Sequence, residues 1–164
     1  MNAEFWVAFG TGVIALIALF HSSRAAAKAR VKTIEDAYIA RYWQILERFP
    51  SSALVGEEKA DGASCDPEEL RAVRLYLRLC EDELELRELG WVSTETWEQW
   101  RLGIRAQLNQ WPVADEWALI RDGQHGRNQF THLRQLDGDR TYDPRGTIVD
   151  RLMRRSLGPG QPRP

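Results

Sequence analysis

Glu83 and Arg87 are the residues of this chain whose types and spacing best fit buried polar chemistry. They stand one helical turn apart with the acid first, the order in which an i, i+4 pair attracts. Leu70, Val73, Leu77, Cys80 and Leu84 form one apolar stripe around them, and Leu75, Leu79 and Leu86 form a second. At about 100° per residue the stripes flank a middle row of Tyr76, Cys80, Glu83 and Arg87. A charge in the centre of an apolar arc is costly unless partnered. The first expectation is a buried Glu83–Arg87 pair that also bonds a Trp, a Tyr or a backbone group and so specifies packing. The competing expectation is a ligand or catalytic site at the same place.

Other chemistry is sparse. His21, His125 and His132 lack metal-ligand spacing, and there is no zinc pattern, phosphate-binding Gly loop or nucleophile elbow. No metal and no cofactor is expected, catalytic residues stay unassigned, and a non-catalytic role is favoured over an enzyme. Cys65 and Cys80 form no redox spacing and fit a reducing compartment. Cys80 reads as a small core residue.

The elements that position Glu83 are helical. Asp66 caps a helix with Pro67 in its first position and Glu69 in its third, and Gly90 stops it. Ser93 caps the next helix, with Val92 and Trp97 in the staple positions on either side. On that helix Trp97, Trp100, Ile104, Leu108 and Trp111 share a face, so Trp97, Trp100 and Trp111 read as aromatic anchors of the core. Gly103 is expected to let a neighbouring helix come close. Upstream, Val31, Ile34, Tyr38, Tyr42, Ile45 and Phe49 make one helical stripe that Pro50 ends, with Ile39 and Leu46 widening it. Residues 51–65 read as a loop, 113–122 and 128–136 as short helices, and 144–156 as a last helix that docks on the domain or on a membrane surface. The Gly/Pro-rich tail, 157–164, reads as disordered. No strand pattern appears, so the class is all-α.

The N-terminus predicts a membrane anchor. Phe5 to Phe20 reads FWVAFGTGVIALIALF, and eighteen residues from Ala3 to Phe20 contain one acid, Glu4. As a helix that run is about 27 Å long, against a hydrocarbon core of ~30 Å. Glu4 and the absence of an early Lys or Arg argue against a cleaved signal peptide. Arg24, Lys28, Arg30 and Lys32 follow the run, which predicts an outside N-terminus and a cytoplasmic remainder, with this basic cluster facing lipid. The expected organisation is thus a transmembrane anchor over 1–23 in the bacterial inner membrane, continuing into a helical cytosolic domain over 24–156.

Charge argues against one class of partner, nucleic acid bound through the Arg-rich end, which is ranked last. Residues 57–100 carry thirteen acids and five bases, whereas the segment from Arg140 onward carries six Arg and two Asp. The chain has a formal net charge of −2, so no strongly basic nucleic-acid footprint covers it and no nucleic acid is expected.

Two motifs occur in order: Tyr76-Leu-x-Leu-Cys80-x-x-Glu83-x-x-Leu86-x-x-x-Gly90, then Val92-Ser93 and Trp97-x-x-Trp100-x-x-Gly103-Ile104. In these the chain resembles an uncharacterised family of small bacterial single-span membrane proteins with a helical cytosolic domain. The resemblance covers residues 30–120 and implies architecture rather than an activity; it singles out Glu83, Trp97, Trp100 and Gly103. The chain departs from that family's simple Glu pair with Glu81-Asp82-Glu83, which leaves open which carboxylate corresponds. The functional expectation is a membrane-tethered, non-catalytic interaction module with a protein partner or self-association through the Ala8/Gly12 step. The alternative is a membrane-bound enzyme or small-ligand sensor centred on Glu83 and Arg87. The two differ in one observable: whether these side chains face an accessible cavity or are sealed.

Overall fold

Asp66 starts the helix on which the rest of the molecule is assembled. Its carboxylate accepts the Glu68 and Glu69 backbone N–H groups, both at 2.8 Å. The Glu69 carboxylate accepts the Asp66 N–H at 2.9 Å in return, and Pro67 fills the first helical position. At the other end Gly90 adopts φ 79°, the left-handed conformation that a helix stop of this type requires. The computed structural model describes residues 3–57, 59–123 and 129–146, with side chains described from Leu16 onward. Among them the helices are α1 (Ala3–Leu46), α2 (Ser51–Leu54), α3 (Pro67–Leu89), α4 (Thr94–Gln107), α5 (Val113–Asp122) and α6 (Thr131–Gly138), and no strand occurs.

α3 is the hub. The C-terminal half of α1, α5 and α6 all pack against it. Ala72, Val73, Tyr76, Leu77, Leu79, Cys80 and Leu84 of α3 are all buried, so the helix is enclosed on more than one face. From α1 the predicted stripe arrives as expected in position: Val31, Ile34, Tyr38 and Tyr42 are half-buried, and Ile45, Leu46 and Phe49 are buried. α1 ends at Leu46, and the turn after it carries Phe49 into the core through a Phe49 N–H to Leu46 carbonyl bond of 2.9 Å. α4 is capped by Ser93, whose Oγ accepts the Thr96 N–H at 3.1 Å. Val92 and Trp97, on either side of the cap, are each 1% exposed.

Burying α3 also buries charge, and distant elements supply most of the partners. Arg87, 4% exposed, donates to both carboxylate oxygens of Asp143 at 3.0 and 2.7 Å and to the Val92 carbonyl at 3.1 Å. Its guanidinium lies 5.8 Å from the Trp97 ring centre. Glu81 accepts the His132 and Leu133 backbone N–H groups at 3.0 and 2.8 Å. Those are orphan donors in the first turn of α6, whose own N-cap residue, Phe130, makes no side-chain cap. A carboxylate from another helix therefore does the capping. Glu116 of α5, also buried, accepts from Arg74 Nε at 2.6 Å. Glu35 of α1 accepts the Ser93 N–H at 2.8 Å and ties α1 to the start of α4.

The structure corrects the membrane expectation. Among the described residues no helix is long and apolar enough to cross a membrane. On α1 the described apolar side chains run only from Leu16 to Phe20 before His21, Ser22, Ser23 and Arg24. Five residues rise about 7.5 Å, a fraction of a ~30 Å hydrocarbon core. The side chains of 1–15, which supply the rest of the expected span, lie outside the described residues. The transmembrane anchor over 1–23, the single-pass inner-membrane location and the orientation drawn from it are therefore not supported. α1 runs unbroken through residues 23 and 24. Arg24, Lys28, Arg30 and Lys32 are exposed or, in the helix itself, locally engaged: Arg24 stacks on Phe20 at 4.3 Å and Lys32 meets Asp36 at 3.3 Å.

Smaller differences are local. The expected 51–65 loop contains the single turn α2. α6 begins at Thr131, three residues later than the pattern predicts, because Phe130 takes φ 59° and Glu81 sets the start. Residues 144–146 form a turn after Asp143; the rest of the expected 144–156 helix and the 157–164 tail lie outside the described residues.

Replacing Asp143 with Ala strands the Arg87 charge in the core. It is expected to lower stability by about 3 kcal/mol, the cost of breaking a buried pair from one side. Replacing Lys32, whose pair with Asp36 is exposed, is expected to cost under ~1 kcal/mol. Urea unfolding of both variants measures the contrast.

Candidate functional site

The expected Glu83–Arg87 pair does not form. Arg87 turns toward Asp143 and Val92, whereas Glu83 turns toward a cavity between α1, α3 and α4. The spacing of the lining residues explains the convergence. Ile39, Tyr42 and Trp43 share one face of α1; Tyr76 and Glu83 lie two turns apart on α3; Gln99, Trp100, Gly103 and Ile104 line one side of α4. The cavity measures about 270 Å³. Tyr76 and Ile104, 2% and 3% exposed, are its deep residues, and Glu83 is 6% exposed. Ile39, Trp43, Gln99 and Gly103 are exposed at its rim. Tyr42 lies edge-on to both Trp43 and Tyr76, with ring centres 5.3 and 6.1 Å away.

Glu83 is electrostatically unusual among the described carboxylates. Among the described residues no hydrogen bond or ion pair reaches its carboxyl. Burial, and then the charge of Asp82, push its pKa up to about 8. It is therefore a neutral acid at pH 7, able to donate one hydrogen bond into the cavity. Burial, Cys80 and Glu83 raise Tyr76 well above the usual tyrosine value, and burial raises Tyr42. Cys80 is fully enclosed beside Tyr76, and burial pushes its thiol well up, so it is an inert core residue. No Lys, Arg or His lines the cavity. One carboxyl among aromatic and aliphatic walls suits binding; a nucleophile paired with a base is not among the lining residues.

Arg87 has a different environment. Burial alone would raise Asp143, but the Arg87 hydrogen bonds, the Arg145 N–H and the two guanidinium charges outweigh it and hold Asp143 below the usual carboxylate range. The pair is structural.

The aromatic anchors divide in the same way. Trp97 is buried beside Arg87. Trp100 is half-buried, lines the cavity and lies 6.2 Å from Tyr38. Trp111 is half-buried and does not line the cavity. Gly103 does not seat a neighbouring helix: a Cβ built there meets nothing within 4 Å. Its missing side chain leaves the rim open instead. His21 is exposed, and His125 lies outside the described residues. His132 contacts the Tyr142 hydroxyl at 2.6 Å and the Glu88 carboxylate at 3.4 Å, a small polar cluster away from the cavity.

Sequence reasoning assigned Tyr42 and Tyr76 to helix stripes without seeing that they line a site. It also missed Glu81 and Glu116 as buried acids. Their signal was present. Glu81 is four residues after Leu77 and three before Leu84, and Glu116 stands between Val113 and Ile120 at helical spacing, so both lie on apolar faces. No family model, curated protein or solved structure matches the chain, so the site is read from its own geometry.

The raised pKa of Glu83 carries a stability consequence of definite sign. In the unfolded chain the carboxyl ionises near the ordinary value of 4.5; in the native state it keeps its proton up to about 8. Between those values the native state binds more protons than the unfolded state, so Glu83 makes stability fall as pH rises and adds no further loss above that window. Glu83→Gln removes this penalty. At pH 5 the variant is expected to melt near the wild-type temperature; at pH 8.5 it is expected to melt at least ~4 °C higher, a shift of the order that 1–2 kcal/mol produces in a domain of this size. Thermal melts across pH 5–9 check it.

Proposed function

We propose that this chain is a non-catalytic helical binding module whose site is the cavity at Glu83. One observation carries the reading: a buried carboxyl without a partner among the described residues faces a cavity, while its neighbour Arg87 has three hydrogen bonds. A carboxyl held at 6% exposure with no such partner loses most of its hydration at a cost to stability, so its retention needs an explanation. A bound ligand supplies one. Three features support it. The volume lies just under the ~300 Å³ lower end of small-molecule sites. The walls are largely aromatic and aliphatic with a single strongly polar group, the usual makeup of such sites. Three helices contribute to the site, with Glu83 on the hub helix α3, so its position is well fixed.

A protein-partner role without a ligand would rest on exposed apolar residues such as Leu89, Leu102 and Leu119. Exposed apolar residues are common on protein surfaces and leave the buried acid unexplained. Catalysis has less support, since the lining offers no second group poised for proton transfer.

The test uses a cavity plug. Gly103→Leu places a side chain at the open rim and replaces Gly with a better helix former, a gain of roughly 0.8 kcal/mol, so the variant is expected to fold. A ligand of the cavity at about 100 times its Kd stabilises the wild type by about 2.7 kcal/mol. The expected outcome of a thermal-shift screen is a set of small molecules that stabilise the wild type and whose affinity drops at least ~10-fold in the plugged variant. Binders indifferent to the plug, or none at all, would remove the reading.

A further inference from the structure

The class of ligand follows from which charges reach the cavity and which do not. We propose that the cavity takes a small organic ammonium ion, its cationic head held among Tyr42, Trp43, Tyr76 and Trp100 with Glu83 as counter-ion. This rests on the cavity being a ligand site.

An anion is disfavoured there. No basic side chain lines the cavity, and Asp82 adds negative potential beside Glu83. A neutral apolar ligand would fill the walls but leave the carboxyl unpartnered. A cation addresses both features. Aromatic rings carry a negative face that attracts an ammonium within about 6 Å, and the attraction strengthens when water is excluded. Four of the lining residues are aromatic.

The basic residue one turn along the same helix is engaged elsewhere. Arg87 is one turn from Glu83 on the same helix, yet two bonds to Asp143, one to Val92 and the Trp97 face hold it. Among the described residues no Lys, Arg or His side chain lines the cavity beside Glu83, which leaves that position open to a cationic ligand.

Binding then exchanges one positive charge for another. The free cavity holds a proton on Glu83 at pH 7. The ammonium enters, the carboxyl O–H ionises, and the proton leaves to solvent, so the site is neutral before and after. The titratable groups facing Glu83 do not mask this exchange. They are Tyr38 and Tyr42 from α1 and Tyr76, Cys80 and Asp82 from α3; the α4 lining carries no charge. The tyrosines and Cys80 are all raised, so they stay neutral below pH 9.

The experiment is isothermal titration calorimetry on the full chain with choline and with 3,3-dimethyl-1-butanol, its uncharged counterpart of the same shape. Choline is expected to bind at least ~10-fold tighter than the alcohol, the preference a desolvated cation–π site with a counter-ion gives. Its affinity is expected to rise by about 10-fold from pH 7 to pH 9 as the proton ceases to compete. Close to one proton is expected to be released per choline at pH 7, seen as a dependence of the heat on buffer ionisation. Glu83→Gln, which retains the shape, is expected to abolish the choline preference and the proton release, so that choline binds no more tightly than the alcohol. Equal or tighter binding of the alcohol in the wild type overturns the cation assignment but leaves the ligand cavity standing. Failure of every compound to bind through the cavity overturns both. A short lysine peptide that binds more tightly than n-butylamine would also overturn it, because the ammonium would then belong to a macromolecule.

Discussion

The structure depends on one constraint: α3 is packed by other helices on several sides, yet it carries ionisable groups among its apolar residues. A helix enclosed by α1, α5 and α6 gains the hydrophobic stabilisation of Val73, Leu77, Leu79 and Leu84. The same enclosure removes water from Glu81, Glu83 and Arg87, each under 7% exposed. Burial makes a partner valuable to each, and Glu81 and Arg87 find theirs mainly in distant parts of the chain. The long-range architecture is therefore fixed by polar geometry as well as by apolar volume.

Glu81 shows how this works. α6 has a residue in the left-handed conformation at its N-cap position and no cap of its own. Its first N–H groups point at a carboxylate 51 and 52 residues away in sequence, at 3.0 and 2.8 Å. Helix N-termini favour negative charge, so one contact satisfies the buried acid and the orphan donors together. Arg87 does the same for the segment at Asp143 and for the α3–α4 connection through Val92. These contacts decide where α6 begins and where the chain returns after it.

Glu83 is the exception, and the exception gives the molecule a candidate site. Its row neighbours Tyr76 and Cys80 are buried, as a core row should be, but the carboxyl itself opens onto space that α4 leaves at Gly103. The penalty appears as a proton held to about pH 8. Energetic inconsistency of this kind, beside buried Glu81, Arg87 and Glu116 that are each hydrogen-bonded, is where function is most often found. The binding role and the ammonium ligand proposed for it follow from that inconsistency and from the aromatic walls.

Much of the local structure was decided by the sequence. Asp66, Pro67, Glu69 and Gly90 delimit α3, and Ser93 with Val92 and Trp97 starts α4, because caps and staples act within a few residues and their geometry is short-range. The helical period likewise identified the α1 stripe and the central row with Glu83 and Arg87. Which partners those two side chains have was decided only in three dimensions. Arg87 and Asp143 are fifty-six residues apart, and Glu81 reaches α6 across fifty-one, distances over which periodicity carries no information. The same limit applies at the N-terminus, where an apolar run predicted an anchor and no described helix is long and apolar enough to be one. Periodicity determines the face on which a side chain lies; the contact it makes there depends on how separate helices are brought together by burial.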